Sequence, residues 1–268
     1  MRRERAKRYA GDVSRRFRAF VLDDLFFRSF ADAQRFYRET APQLPLEYQR
    51  YLGANDRYWL LTQVLGRIDA IHPWVYDRAR EVELEPDDVL DLWFRGGYKS
   101  TLGTLAGTLQ EIIDDPEITI CIYSMTDDVA QKFVGEIGSN AARNPSLHRL
   151  FPDVFWRDPR KEAPVWSRSA LVFRRRGSPK EATVEGHGLL NAIPTGSHFR
   201  MLVYDDIINE RVVTQTATEQ IKKAWERFEL SRYTGVGEAT RRQYRGTRYL
   251  FGDIYGQMIE KGIVRARV

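Results

Sequence analysis

Arg95-Gly96-Gly97-Tyr98-Lys99-Ser100-Thr101 follows the apolar run Val89–Phe94 and leads into a helix-forming stretch. A strand that turns sharply into a helix N-terminus leaves several backbone N–H groups unpaired, and these attract phosphate. Lys99 adds a mobile positive charge suited to β- and γ-phosphates, and Ser100 a hydroxyl suited to Mg2+. The match to the common phosphate-loop spacing is incomplete. With Lys99 as the motif lysine, the pattern glycines fall at positions 93 and 98, which hold Trp93 and Tyr98. By itself the stretch reads equally as a nucleotide site or as an ordinary glycine turn.

A second stretch carries acids. Met201-Leu202-Val203-Tyr204-Asp205-Asp206 is an apolar run ending in two adjacent carboxylates. An acid at the carboxyl edge of a buried strand can hold the shell of a Mg2+ ion, and a neighbouring acid can orient an attacking water. Ligands of open α/β sheets bind at that edge. A third polar pair, Thr247-Arg248 after Gly246, stands where it could sense a γ-phosphate; the plainer reading is a basic strand edge.

These residues need a scaffold that brings distant segments together, and the hydrophobic patterning predicts one. Up to residue 88 the chain reads as mainly helical. Phe17, Phe20, Val21, Leu25, Phe27 and Phe30 recur at helical spacing, as do Trp59, Leu60, Leu61, Val64, Leu65 and Ile68. Pro73 opens a short helix to about Glu83, whose Trp74 and Tyr76 belong either in the core or under a nucleotide base. From Val89 onward strands and helices alternate, which implies a mainly parallel sheet with helices on its faces. Expected strands are Val89–Phe94, Ile118–Ser124, Ala170–Arg174 and Ala182–Glu185, with Met201–Asp206 following. Expected helices run from Lys99 to Ile113, Asp127 to Ala142, Ile221 to Leu230 and Asp253 to Lys261.

Composition narrows the class. The 43% hydrophobic and 29% charged residues describe a globular chain able to bury a core, and no apolar run is long enough to span a bilayer. One cysteine, Cys121, rules out an internal disulfide framework and suits a reducing cytosol; its apolar surroundings make it a small buried hydrophobe. The net charge of +5 is uneven: eight basic groups in the first twenty residues face only Glu4 and Asp12, so that segment is +6 and the remainder −1. Such an arm is either a polyanion contact or a solvated terminus. The same two readings apply to the run Arg174-Arg175-Arg176.

Taken together, these stretches resemble the ATPase domain of the phage terminase large subunit, over about residues 70–262. The carrying residues are His72-Pro73-Trp74, Leu90-Asp91-Leu92-Trp93 with Tyr98-Lys99-Ser100-Thr101, and Asp115-Pro116-Glu117-Ile118-Thr119-Ile120. Asn144-Pro145, Leu150-Phe151-Pro152-Asp153 and Thr195-Gly196-Ser197-His198-Phe199 follow, then Val203-Tyr204-Asp205-Asp206 and Gly246-Thr247-Arg248-Tyr249. The family's own phosphate loop is irregular, often with an arginine ahead of the lysine, as Arg95 is here.

The resemblance implies a phosphate-loop (RecA-like) ATPase core over 89–268 behind a helical lead-in over 1–88. It implies that Arg95, Gly96, Gly97, Tyr98, Lys99, Ser100 and Thr101 bind ATP, with Arg95 and Lys99 also catalytic, and that Ser100 and Asp205 hold Mg2+. Asp206 stands where the family usually has a catalytic glutamate; being one methylene shorter, it requires a closer water or help from Glu210. Thr247 and Arg248 match the motif coupling hydrolysis to movement on DNA. Implied partners are double-stranded DNA, the portal protein, the small terminase subunit and further copies in a ring, in the host cytoplasm. The ring's trans-acting arginine has only candidates here: Arg143, Arg149 and Arg200. Family members continue into a metal-dependent nuclease domain, whereas this chain stops at Val268, so no nuclease activity is expected of it. Two rival readings remain: a helicase-like ATPase, and a non-catalytic DNA- or capsid-binding module on the same scaffold. Tyr98 requires either extra room or an altered turn.

Overall fold

A computed structural model of the protein describes residues 7–189, 197–208, 219, 223, 240–248 and 253–268. Seven strands form one sheet: β1 (Val89–Leu92), β2 (Ile120–Ser124), β3 (Ala170–Leu171), β4 (Val184–Gly188), β5 (Met201–Asp205), β6 (Arg241–Gly246) and β7 (Arg265–Arg267). Their order is β3-β4-β2-β5-β6-β1-β7. All neighbours pair in parallel except β3 with β4. The chain is therefore α/β, with a mostly parallel sheet flanked by helices. Among the described residues no helix is long and apolar enough to cross a membrane.

Side chains alternate across the sheet with period two, and that alternation sorts the site residues. Met201 and Val203 pack into the larger core with Ile120 and Ile122, under the helical turns Ser100–Ala106 and Gly107–Asp114 and the helix Asp127–Arg143. Leu202 and Tyr204 face the other way, into a second core with Leu90, Cys121, Tyr244 and the helix Ile254–Glu260. On that second face Tyr123, Tyr204 and Tyr244 stack in a row across β2, β5 and β6, with centroids 5.4 and 4.9 Å apart. Asp205 thus follows Met201 and Val203 onto the face covered by Ser100–Asp114 and Asp127–Arg143. Cys121 is fully buried, as its surroundings predicted.

The lead-in packs on the same side as the helix Asp127–Arg143 and shares its core, which runs without interruption from Tyr9 and Tyr37 to Leu105 and Val203. A buried polar network reinforces the join. Arg80 donates to both Asp56 carboxylate oxygens (2.9 and 3.0 Å) and to the Tyr37 hydroxyl at 2.7 Å. Glu83 accepts from the Arg57 backbone N–H at 3.0 Å, and Arg57 Nε donates to Gln110 on the helix following the glycine turn, at 2.9 Å.

Several expected boundaries shift. The first strand ends at Leu92, because Phe94 turns outward and is exposed. The amino-terminal helical pattern divides at Ser29, whose side chain caps a new helix by accepting from Asp32 N–H. A helix at Leu46–Asn55 was missed, as were Pro145–Leu150 and Pro159–Glu162. The hairpin strands are shorter or displaced, at Ala170–Leu171 and Val184–Gly188. The strand β7 adds an edge that its Arg-Ala-Arg sequence does not advertise. Thr195, Gly196, Glu210, Tyr249 and nearly all of the expected helix Ile221–Leu230 lie outside the described residues.

Candidate nucleotide site

β1, β2, β5 and β6 run parallel, so their last residues lie along one edge of the sheet. The turn after β1 crosses that edge. Gly96 takes φ 86°, and Gly97 N–H closes a turn onto Phe94 O at 3.0 Å. A Cβ at Gly97 would stand 3.0 Å from that carbonyl and 3.1 Å from the Trp74 ring, so any larger residue there would push these neighbours aside by a few tenths of an ångström. Trp74 lies edge-on to Trp93 at 5.3 Å and tilted against Phe94 at 4.9 Å. Tyr76 is buried and donates to Arg28 O at 3.0 Å. Tyr76 is therefore core packing, and the partly buried Trp74 supports the loop through Trp93 and Phe94.

Tyr98 resolves into an altered turn. It holds φ 60°, the left-handed conformation that glycine adopts without penalty, and its hydroxyl reaches back to Asp69 O at 2.8 Å. Helical bonding begins with Leu102 N–H onto Tyr98 O at 2.8 Å. Among the described residues, no backbone acceptor pairs with the N–H groups of Lys99, Ser100 or Thr101. These are the unpaired donors of a helix start, with its partial positive charge. Arg95 is exposed and makes no hydrogen bond or ion pair with the described residues.

The acids meet this helix start. Asp205 is fully buried; one carboxylate oxygen accepts from Ser100 Oγ at 3.0 Å and the other from Thr104 Oγ1. Ser100 and Thr104 are one helical turn apart, which sets both hydroxyls on one face. Asp206 leaves the strand with φ 48°, its backbone held by Arg245 O (3.0 Å) and by the Ser124 hydroxyl (3.4 Å). Its Oδ1 is buried, has no hydrogen-bond partner, and faces Lys99 Nζ at 3.4 Å. Lys99 Nζ also donates to Thr247 Oγ1 at 3.0 Å. Thus Lys99, Ser100, Asp205, Asp206 and Thr247 converge as their sequence spacing suggested.

Burial, and then the Asp206 charge, push the Asp205 carboxyl up to about 6, against the pull of Arg245 and the two hydroxyls. Arg245 is the residue that sequence reasoning passed over. It pairs in register with Asp91 on one side and Asp205 on the other. Its guanidinium donates to Thr104 Oγ1 at 3.3 Å and to Gln243, and a Cβ at Gly103 would collide with its Nε at 1.9 Å. Burial pulls Arg245 below its ordinary range, while Asp205 opposes that pull. The only forward signal was an arginine just before Gly246-Thr247-Arg248, in a strand too polar to look central. Arg248 approaches Gly256, at 3.5 Å from the position a Cβ there would take.

Of the candidate trans arginines, Arg149 donates to Gln49 Oε1 at 2.9 Å and Arg200 pairs with Asp115 at 2.6 Å. Arg143 is exposed at the far end of its helix. No family model matches the chain, and no curated protein matches it.

Proposed function

We propose that this chain is a phosphate-loop ATPase that uses Mg-ATP hydrolysis to move double-stranded DNA, as in the terminase large subunits its motifs resemble. The observation that carries the reading is the convergence of Lys99, Ser100, Asp205, Asp206 and Thr247, from three distant segments, at the carboxyl edge of a parallel sheet.

The residues present fit the nucleotide and its ion. Three unpaired N–H groups at a helix start, beside a lysine, suit phosphate oxygens. The buried Asp206 Oδ1 lacks a hydrogen-bond donor and is available to orient a water. Mg2+ is commonly held by one or two protein oxygens together with substrate phosphates, and Ser100 with Asp205 supplies that set. Among the described residues no group of three or more His, Cys, Asp or Glu side chains could hold a metal ion, so the ion would be shared with the phosphates. When bound, Mg2+ neutralises charge developing on the phosphoryl oxygens.

The protein's own part is positional. Lys99 exchanges its contact with Asp206 for phosphate oxygens, which releases Asp206 for the water. Thr247, bonded to Lys99 just beyond the end of β6, senses that exchange and passes it to the adjacent Arg248. The portal protein, the small terminase subunit and a ring of copies belong to the same reading as its partners. Hydrolysis by the purified chain, measured with and without DNA, tests it. Turnover that disappears in Lys99→Ala supports the assignment, and near-native turnover in that variant overturns it. Failure of wild-type turnover is repeated on assembled rings, where an arginine supplied in trans is present.

A further inference from the structure

The sequence drew attention to the run Arg174-Arg175-Arg176 as a surface for DNA, but the structure commits two of these side chains internally. Arg174 sits over the Trp156 ring at 4.9 Å and pairs with Glu162 at 3.6 Å. Arg175 donates to Pro179 O and Glu181 O at 3.3 and 3.0 Å. Uncommitted positive charge collects elsewhere.

A cavity of about 530 Å³ lies beside the β3 edge of the sheet, between the helix Asp127–Arg143 and the segment 157–171. Arg143, Arg157, Arg160 and Arg168 line it, with Asp158 as the one acid. All four arginines are exposed, and none of their guanidinium groups makes a hydrogen bond or ion pair with the described residues. Asp158 is itself engaged by Lys161 at 3.2 Å, which removes it as a local counter-charge. Most of the other described arginines have acidic or carbonyl partners, as Arg50, Arg67, Arg80, Arg241 and Arg267 do.

The cavity's shape follows from small residues on the helix. Gly138 admits the Leu171 side chain so closely that a Cβ there would be 3.1 Å from it, whereas Gly135 opens onto empty space. Holding four like charges around one concavity is unfavourable without an anion to face them. A compact free phosphate is held by converging buried donors. Here the donors are exposed and spread over three segments, which suits an extended polyanion presenting successive phosphates. Guanidinium groups match phosphate oxygens in paired hydrogen bonds.

We propose that this cavity is a contact site for the phosphate backbone of duplex DNA. It lies at the β3 edge, and the helix beneath it starts just after Ser124 at the nucleotide edge and runs away from it for 17 residues. The site rests on the DNA-moving part of the proposed function but not on hydrolysis, because DNA binding is read without nucleotide.

The test is fluorescence anisotropy of a labelled duplex titrated with the whole chain over a range of salt concentrations. Arg157→Gln/Arg168→Gln is expected to weaken binding roughly tenfold at low salt and to reduce the slope of log K against log salt by about 2. Arg38→Gln/Lys261→Gln removes the same charge from exposed positions elsewhere and is expected to stay within about twofold of wild type. The titration is run without nucleotide, which separates this site from the nucleotide site. Matching melting temperatures establish that each variant is folded. Equal losses in both double variants, or unchanged binding in Arg157→Gln/Arg168→Gln, would overturn the proposal. So would inorganic triphosphate binding that depends on these arginines while DNA binding does not.

Discussion

Lys99 Nζ stands 3.4 Å from Asp206 Oδ1 and 3.0 Å from Thr247 Oγ1, so one ammonium group joins the ends of three chain segments. The contact with Asp206 is not closed by a hydrogen bond, and the Asp206 side chain keeps 38% of its surface in solvent. On the proposed function, this is the contact that an incoming phosphate replaces.

That arrangement predicts a variant that loses function without losing the fold. In Lys99→Ala the Asp206 charge can rehydrate, so the cost to stability is expected near 1 kcal/mol. ATP turnover is expected to fall at least about 100-fold, since a charge aimed at the transferring phosphate is lost. Chemical denaturation and steady-state hydrolysis on the same preparation measure the two effects separately.

The left-handed turn at Tyr98 predicts an ordering within a substitution series. Tyr98→Phe loses only the bond to Asp69 O, at about 1 kcal/mol. Tyr98→Ala loses that bond and the ring's contacts while keeping the strained φ of 60°. Tyr98→Gly loses the same contacts but relieves the strain, by about 1 kcal/mol. Urea unfolding is therefore expected to show Tyr98→Gly more stable than Tyr98→Ala. The reverse order would show that the turn carries no strain.

The raised Asp205 carboxyl predicts a pH dependence of definite sign. Its folded value of about 6 lies above the ordinary 3.8, because burial and Asp206 disfavour the charge. Between these values the folded protein holds more protons than the unfolded chain, so this group's contribution to stability is lost as pH rises through about 6. The effect is on the order of 3 kcal/mol. Asp205→Asn is expected to flatten that part of the stability profile. A profile equally steep in the variant would assign the titration to another group.

How much of this was legible in the sequence depends on which signal each element carries. β2 and β5 are continuously apolar and were read correctly, as strands covered on both faces are. Lys99 and Asp205 stood out because a polar residue at the end of an apolar run is conspicuous. β6 was only glimpsed, as a polar lead-in to Gly246, because Arg241, Gln243 and Arg245 spend its buried face on partners that the fold alone reveals: Glu111, Asp87 and Thr104. Thr104 was readable in principle, one turn beyond Ser100. The left-handed Tyr98 was not, since propensity argues against a bulky residue there, and its bond to Asp69 depends on how the lead-in docks.

The shared core predicts that the lead-in and the sheet unfold together. Arg80 binds both Asp56 oxygens inside that core, and removing one partner strands a buried charge. Arg80→Ala is expected to cost about 3–5 kcal/mol. A single cooperative transition displaced by that amount is the expected result in calorimetry. Two separated transitions would show that the lead-in folds alone.

Equilibrium binding of a non-hydrolysable ATP analogue tests the central claim most directly, because it needs neither DNA nor an arginine from a neighbouring subunit. The account predicts saturable binding to the wild-type chain that strengthens with Mg2+, weakens in Asp205→Asn only when Mg2+ is present, and falls at least about 100-fold in Lys99→Ala. Equal affinity of the wild type and Lys99→Ala would contradict it.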